Sequence, residues 1–310
     1  MTQRLYHDNP ALDFDAVVTD IRLDSTTAGE QLWQIALDRS AFYPQGGGQP
    51  FDTGVLIATA KSGAVLEVAV ERVEEDAAGE VWHYVRKPLP EGTEIMGRVD
   101  AERRMDHAQQ HSGQHLLSAV FLAELNARTV SFHLGGDNVT IDLALPDAAQ
   151  TLTEASLAAV QTTANRLVYE NRSITPRWVQ RDEAEAMLAR GELRKLPDRD
   201  GPLRIVEMAG VEFNACGGTH VASTGAIGGL TLRRLEKSKH NWRVEFCCGL
   251  RSARLARADF LRLRELGSLL SVGPADLPAR VAALIEDKKA AAKELKALQR
   301  QQNSIHVPPG

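Results

Sequence analysis

Two pairs of side chains constrain this chain more tightly than any other feature. His111 and His115 stand four residues apart in His111-Ser112-Gly113-Gln114-His115, and Cys216 and His220 stand four apart in Cys216-Gly217-Gly218-Thr219-His220. On a helix, positions i and i+4 share a face. The apolar run Leu116-Leu117-Ser118-Ala119-Val120-Phe121-Leu122 predicts that the first pair is helical. Gly217-Gly218 would weaken a helix and predicts a tight loop for the second pair. Two imidazoles from a helix, with a thiolate and an imidazole from a loop, form a borderline-soft tetrahedral set that suits zinc. Ser112 stands where a zinc protease of the HExxH type carries Glu, and the second pair lacks zinc-finger spacing. The chemistry leaves one alternative open: satisfied core histidines beside an inert buried thiol.

The chain has 310 residues, enough for two or three domains with a sizeable core. A net charge of -5 argues against a protein that coats nucleic acid, while leaving room for a local basic surface. Three cysteines, two of them adjacent at Cys247-Cys248, give no disulfide framework and fit a reducing, cytoplasmic setting. No apolar run approaches membrane-spanning length, and the N-terminus has no signal-peptide pattern, so no membrane partner is expected.

The pattern predicts an α+β protein in three parts. Residues 1–95 read as a β domain, a small closed barrel or compact sheet with the barrel preferred, with strand-like runs at 16–21, 31–37, 55–58, 65–70 and 80–85, and a last strand at 93–99. Phe42-Tyr43-Pro44-Gln45-Gly46-Gly47-Gly48-Gln49-Pro50 interrupts that pattern. It is either a flexible hairpin loop or a set of backbone donors near an anionic or carbonyl-bearing ligand, with Gln49 as a side-chain handle.

Residues 96–250 read as a helix over 100–127, then strands and a helix over 152–170. A strand over 174–180 with Trp178 in the core, a short helix closed by Gly191, and a hairpin near 230–246 follow. This order predicts an antiparallel sheet with helices on one face. Residues 251–310 read as a helical tail. Leu277, Val281, Leu284, Lys288, Ala291, Leu295 and Leu298 form a heptad seam with Asp276 as N-cap, able to pair with a second copy or to pack back on the body. The chain then runs to Val307-Pro308-Pro309-Gly310 with no further globular unit expected.

Two basic features point to a polyanion. Arg103 and Arg104 carry the wrong sign for a helix N-terminus, which suggests a phosphate partner or, for either alone, a solvated face. Between Thr231 and Arg264 lie ten basic residues, among them Arg233, Arg234, Lys237, Lys239 and Arg243, opposed only by Glu236, Glu245 and Asp259. This cluster reads as a docking patch or a solvated basic helix.

HSGQHLLSAVF, SFHLG, the CGGTH loop and WRVEFCCG resemble the editing domain shared by alanyl- and threonyl-tRNA synthetases. FYPQGGGQP resembles the N-terminal domain of the freestanding alanyl-tRNA editing proteins (the AlaX group), and the resemblance spans roughly residues 10 to 250 in order. With no aminoacylation domain ahead of these motifs, the resemblance is to the stand-alone editor. It implies trans-editing, the hydrolysis of tRNA(Ala) misacylated with serine or glycine. It also implies zinc on His111, His115, Cys216 and His220, and an editing site near Gly46, Gly47, Gly48 and Gln49. The tail resembles the linker of longer editors, so the chain is either a mid-length editor or part of a longer one.

An aminoacyl ester is activated, so water needs little beyond position and oxyanion stabilisation. Ser112, Ser131 and Thr219 lie near the motifs, yet no Ser-His-Asp order is readable, which favours direct attack by water. Gln114, Thr129, Ser131 and His133 are the candidates to contact the serine hydroxyl, with Thr129 or Ser131 preferred. The competing expectation is a tRNA-binding module with a purely structural zinc.

Overall fold

The structure is a computed structural model that describes residues 1–7, 11–27, 30–136, 138–147, 149–198 and 201–305; Val307–Gly310 lie outside the described residues. The chain forms two compact units, Met1–Ser252 and Ala253–Gly310.

The first unit opens with a short strand β1 (Gln3–Arg4). It continues with β2 (Asp13–Thr27), β3 (Glu30–Leu37), β4 (Arg39–Ser40), β5 (Gly54–Thr59), β6 (Val65–Glu75), β7 (Val81–Val85) and β8 (Glu94–Val99). Strands β1 and β4 pair in parallel, and the other six close into an antiparallel barrel of order β2-β3-β7-β6-β5-β8. All six apolar runs named above fall on barrel strands. Val18, Ile35, Leu37, Leu56, Val68, Val70, Val81 and Val85 alternate inward and, with Phe42, fill the interior.

The 25-residue helix α1 (Ala101–Leu125) follows directly. Asp100 caps it by accepting from the N–H groups of Glu102 and Arg103, and Asn126 ends it in the left-handed region at φ 49°. Next come β9 (Arg128–Leu134), β10 (Val139–Ala144), α2 (Glu154–Tyr169), β11 (Ile174–Val179), α3 (Arg181–Ala189), β12 (Leu203–Met208), β13 (Glu212–Ala215), α4 (Thr224–Ile227), β14 (Leu230–Ser238) and β15 (Asn241–Cys248). They build two antiparallel sheets, β14-β15-β10-β9 and β11-β12-β13. The core of this part joins Leu116, Leu117 and Phe121 of α1 to Val160 and Ala164 of α2, Ile141 and Leu143 of β10, and Val244 and Phe246 of β15. The fold is therefore the α+β arrangement expected, with β14 and β15 as the anticipated hairpin.

The tail consists of α5 (Gly249–Leu270), a 3-10 turn (Pro274–Asp276) and α6 (Leu277–Ile305). Asp276 sits inside the 3-10 turn, so its expected N-cap role gives way to that turn. Val281, Leu284, Leu295 and Leu298 of the seam are exposed. Among the described residues no single helix is long and apolar enough to cross a membrane.

One expected core residue lies elsewhere. Trp178 is 44% exposed. Its strand β11 is the edge of a three-stranded sheet, and the pleat turns Val179 rather than Trp178 into the apolar cluster with Ala184, Met187 and Leu203.

The barrel interior buries His83 completely. Its Nδ1 lies 3.0 Å from the Ile35 carbonyl and donates to it, leaving Nε2 to accept from the Ser40 hydroxyl at 2.7 Å. Burial pushes the imidazole down to about 4, so it is neutral in the fold. Above about pH 6.5 the unfolded imidazole is neutral as well and pH has no effect through this group. As pH falls below that, the unfolded form binds a proton that the folded form refuses, and stability drops until the folded value is reached. The expected loss from His83 is about 2 kcal/mol between pH 7 and pH 5 and about 3 kcal/mol by pH 4. Urea unfolding of wild type and His83→Gln at both pH values checks this; parallel losses in the two proteins would reject it.

Candidate metal centre

The α1 helix places His107, His111, Gln114, His115 and Ser118 on one arc, as the 3.6-residue period requires. The segment after β13 carries Cys216, Gly217, Gly218, Thr219 and His220 across that arc. One ligand atom from each of His111, His115, Cys216 and His220 lies within 4.8 Å of the others. Cys216 Sγ is 3.4 Å from His111 Nε2 and 3.3 Å from His220 Nε2. Tetrahedral bonds of metal to nitrogen and sulfur put such ligand atoms about 3.3–3.8 Å apart, so the spacing fits one shared cation.

The remaining ring nitrogens make the fit stronger. His111 Nδ1 meets Gln49 Oε1 at 2.8 Å, His115 Nδ1 meets Glu212 Oε1 at 3.0 Å, and His220 Nδ1 meets Ser112 Oγ at 3.0 Å. Gln49 Oε1 also accepts from Thr219 N–H at 3.0 Å, so the proton of His111 belongs on Nδ1. Every imidazole is held by one nitrogen and presents the other to the centre, the arrangement that orients metal-binding histidines.

The electrostatics agree. Burial works against ionising Cys216, but His111 and His220 beside it hold its thiol well below the usual range. Burial also opposes a charge on His115, yet hydrogen bonds to Cys216 and Glu212 raise it to about 10. Burial takes His220 down to about 3. Without a cation, His115 holds its proton beside the Cys216 thiol, and cation uptake that displaces it is weakened by acid.

Two glycines are fixed by close approach. A Cβ on Gly218 would lie 2.1 Å from the His111 ring. A Cβ on Gly48 would lie 2.4 Å from the Phe132 ring, and Gly48 has φ +82°. Gly46 and Gln49 exchange backbone hydrogen bonds at 3.2 and 2.9 Å around Gly47 and Gly48, making a tight hairpin turn rather than a flexible loop. Gln49 is 1% exposed and both ends of its amide are engaged, Nε2 donating to Thr219 Oγ1 at 2.9 Å. It holds the centre together instead of offering a handle to a ligand.

The other expected contacts separate into two groups. Gln114 Nε2 donates to Ser118 Oγ at 2.8 Å, and Ser118 Oγ lies 2.7 Å from Thr129 Oγ1, so Gln114 and Thr129 come together beside His115. Ser131 and His133 do not join them. A bulge in β9 pairs Thr129 with Leu143 but Ser131 with Asp142. That extra residue puts Thr129 and Ser131 on opposite faces despite their two-residue spacing. Ser131 donates to Asp142 at 2.6 Å, and His133, paired with Thr140, shares that outer face.

Among the basic residues, Arg104 is buried and bonded through Nε to Asp52 at 3.0 Å and through Nη2 to the Ala41 carbonyl at 2.6 Å, so it contacts no phosphate. Arg103 donates to the Phe51 carbonyl at 2.9 Å. Arg243 grips Asp142 with two bonds at 2.7 and 2.9 Å. Arg234 pairs with Glu236 at 3.0 Å, and Arg233 lies 3.8 Å from Glu245. Lys237 lies over Trp242, and Lys239 is exposed at the hairpin tip. Acids distant in sequence, Asp142 and Asp106, thus neutralise part of the patch.

Two family models match. "Threonyl and Alanyl tRNA synthetase second additional domain" covers residues 203–245, which include Cys216 and His220, and "tRNA synthetases class II (A)" covers residues 3–103, which include the barrel. The chain is 33% identical over 246 residues to the alanyl-tRNA editing protein Aarsd1 of Rattus norvegicus, and 34% identical over 246 residues to that of Bos taurus. The chain is thus similar to alanyl-tRNA editing proteins. These matches cover 79% of this chain and 56% and 52% of the two relatives. It is also 32% identical over 310 residues to the alanine–tRNA ligase of Pyrococcus abyssi, covering 97% of this chain and 32% of the ligase. It therefore spans about half the length of the editing proteins and a third of the ligase.

Sequence reasoning missed Glu212. The signal was available: 212, 214 and 216 alternate onto one face of a strand, so a carboxylate two steps before the cysteine shares its side. If the cluster holds a cation, Glu212→Ala is expected to weaken its binding, probed with zinc, by about 10- to 100-fold, with Glu212→Gln intermediate. Competition against a chromogenic chelator measures it, and wild-type affinity in Glu212→Ala would reject the role.

Proposed function

We propose that this chain is a zinc-dependent aminoacyl-tRNA deacylase that acts in trans on tRNA(Ala) misacylated with serine, and also with glycine. The observation that carries this reading is the cluster of His111, His115, Cys216 and His220, with each imidazole held by its second nitrogen, in a chain similar to the alanyl-tRNA editing proteins. Three imidazoles and a thiolate favour zinc over the hard cations that prefer oxygen. When bound, zinc supplies Lewis acidity and a fixed positive charge at this point. A reducing, cytoplasmic setting follows from the substrate and suits the free thiols of Cys216, Cys247 and Cys248.

The protein's own groups position the substrate. Ser112 is engaged as a partner of His220 and accepts from Val221 N–H at 3.2 Å, which leaves water as the attacking group. Thr129, beside Ser118 and Gln114, is the contact we assign to the serine hydroxyl. Alanine lacks that hydroxyl and would leave buried polar groups unpaired, which penalises the cognate ester. Arg103, Arg233, Arg234, Lys237 and Lys239 remain the candidates to meet the tRNA backbone.

Convergence of all four side chains on one point also favours a second reading, a tRNA-binding module with a closed, structural zinc. Single-turnover hydrolysis of Ser-tRNA(Ala), with Ala-tRNA(Ala) as control and zinc counted in the same preparation, separates the two. Loss of serine with alanine spared supports the deacylase; no hydrolysis by zinc-loaded protein supports the module. Thr129→Val should slow the seryl substrate by about 10- to 100-fold and leave the glycyl substrate within about threefold. Equal loss on both substrates would remove Thr129 from the hydroxyl contact. The exposed tail seam supports pairing with a second copy. Sedimentation equilibrium of the full chain should show a dimer that Leu295→Glu dissociates, and a monomeric wild type would reject it.

A further inference from the structure

The sheet register leads outward from the metal cluster to an exposed aromatic ring. Trp178 of β11 pairs directly with Arg204 of β12, and Arg204 accepts at its carbonyl from Cys216 N–H at 3.0 Å. Directly paired residues of an antiparallel ladder point to the same face. Trp178, Arg204 and Cys216 therefore form one row across β11, β12 and the residue that follows β13, with the exposed indole at its outer end and the sulfur of the candidate metal centre at its inner end. Two strand spacings separate Trp178 from Cys216, about 10 Å.

The row is held rigid. Arg204 donates to the carbonyls of Cys216 at 2.9 Å, Gly218 at 3.0 Å and His7 at 3.1 Å. His7 in turn places Nε2 at 3.1 Å from the Gly217 carbonyl and packs edge-on to Trp178, with ring centroids 5.5 Å apart. Tyr6 backs His7 at 4.6 Å. The exposed indole thus stands on a fixed base beside the Cys216 loop. Among the described residues it is the exposed tryptophan, since Trp82 is buried and Trp33 and Trp242 are half-buried.

We infer that Trp178 is a stacking platform for the unpaired 3′-terminal base of the tRNA, and that stacking there sets the aminoacyl ester at the metal cluster. The inference rests on the deacylase reading and supplies its substrate subsite. An aminoacylated nucleoside carries its base at one end and its ester at the other, and the row offers an aromatic surface and a metal site in that order. Stacking on an aromatic ring is tolerant of base identity and needs no paired partner, which matches a single-stranded end rather than a duplex.

The test has two arms on the full chain. In the first, intrinsic tryptophan fluorescence is titrated with uncharged tRNA(Ala), and with the same tRNA lacking its terminal adenosine. The complete tRNA should quench the wild-type signal, and the trimmed tRNA should quench it several-fold less. Trp178→Phe, which keeps an aromatic face against His7, should lose the quench and still bind the complete tRNA within about threefold. In the second arm, Trp178→Ala should raise KM for Ser-tRNA(Ala) by roughly 5- to 150-fold with kcat within about threefold, and Trp178→Phe should restore most of it. Equal quenching by complete and trimmed tRNA, a quench that persists in Trp178→Phe, or a KM within twofold of wild type in Trp178→Ala would overturn the subsite. A wild type that quenches as expected but hydrolyses nothing would overturn the deacylase reading and leave the stacking site standing.

Discussion

The amide of Gln49 ties the structure together. Its oxygen meets both Thr219 N–H and His111 Nδ1, and its nitrogen reaches the Thr219 hydroxyl. Buried polar groups must be paired, so this one side chain fixes the amide orientation, the tautomer of a candidate metal ligand and the path of the Cys216 loop together. It comes from the barrel, whereas its partners come from α1 and from the loop after β13. The tight turn at Gly46–Gln49 and the glycine at 218 exist because backbone and ring must approach this closely.

Three apolar clusters surround that point without merging across it: the barrel interior, the helix–sheet core and the small cluster under α3. Polar interactions connect them. Asp52 of the barrel grips Arg104 at the start of α1 and also accepts from Tyr43 N–H at 2.7 Å. Arg204 joins β12 to the carbonyls of the Cys216 loop and of His7. A buried cation is tolerated in each place because each guanidinium reaches several oxygens. The candidate ligands thus stand on α1 and on a loop pinned by Gln49 and Arg204, at a polar junction that keeps their spacing within the narrow range one cation accepts.

Most elements were legible in the sequence. The barrel strands, the α1 limits and the β14–β15 hairpin each have a local cause, whether alternation, an N-cap or a turn. The four side chains that converge were legible because two i, i+4 pairs of ligand-type residues leave few other uses. The misplacements share one origin. Thr129 and Ser131 are offered together for the serine hydroxyl, and the bulge at Val130 puts them on opposite faces. Trp178 is expected in the core, and its strand lies at a sheet edge. Arg104 reads as a phosphate contact because its charge is the wrong sign for a helix N-terminus, and the acid that takes it up, Asp52, comes from 52 residues away.

By itself the sequence determined which side chains can hold a cation, where the helix that carries two of them begins and ends, and where the strands of the first part lie. These follow from short-range sterics and periodicity, which act within a few residues. Only the tertiary structure decided what holds each imidazole, which face of β9 looks at the cluster, and that Trp178 stands in register with Cys216. Each of these depends on contacts between segments far apart in the chain, and a single bulge or edge position is enough to reverse them.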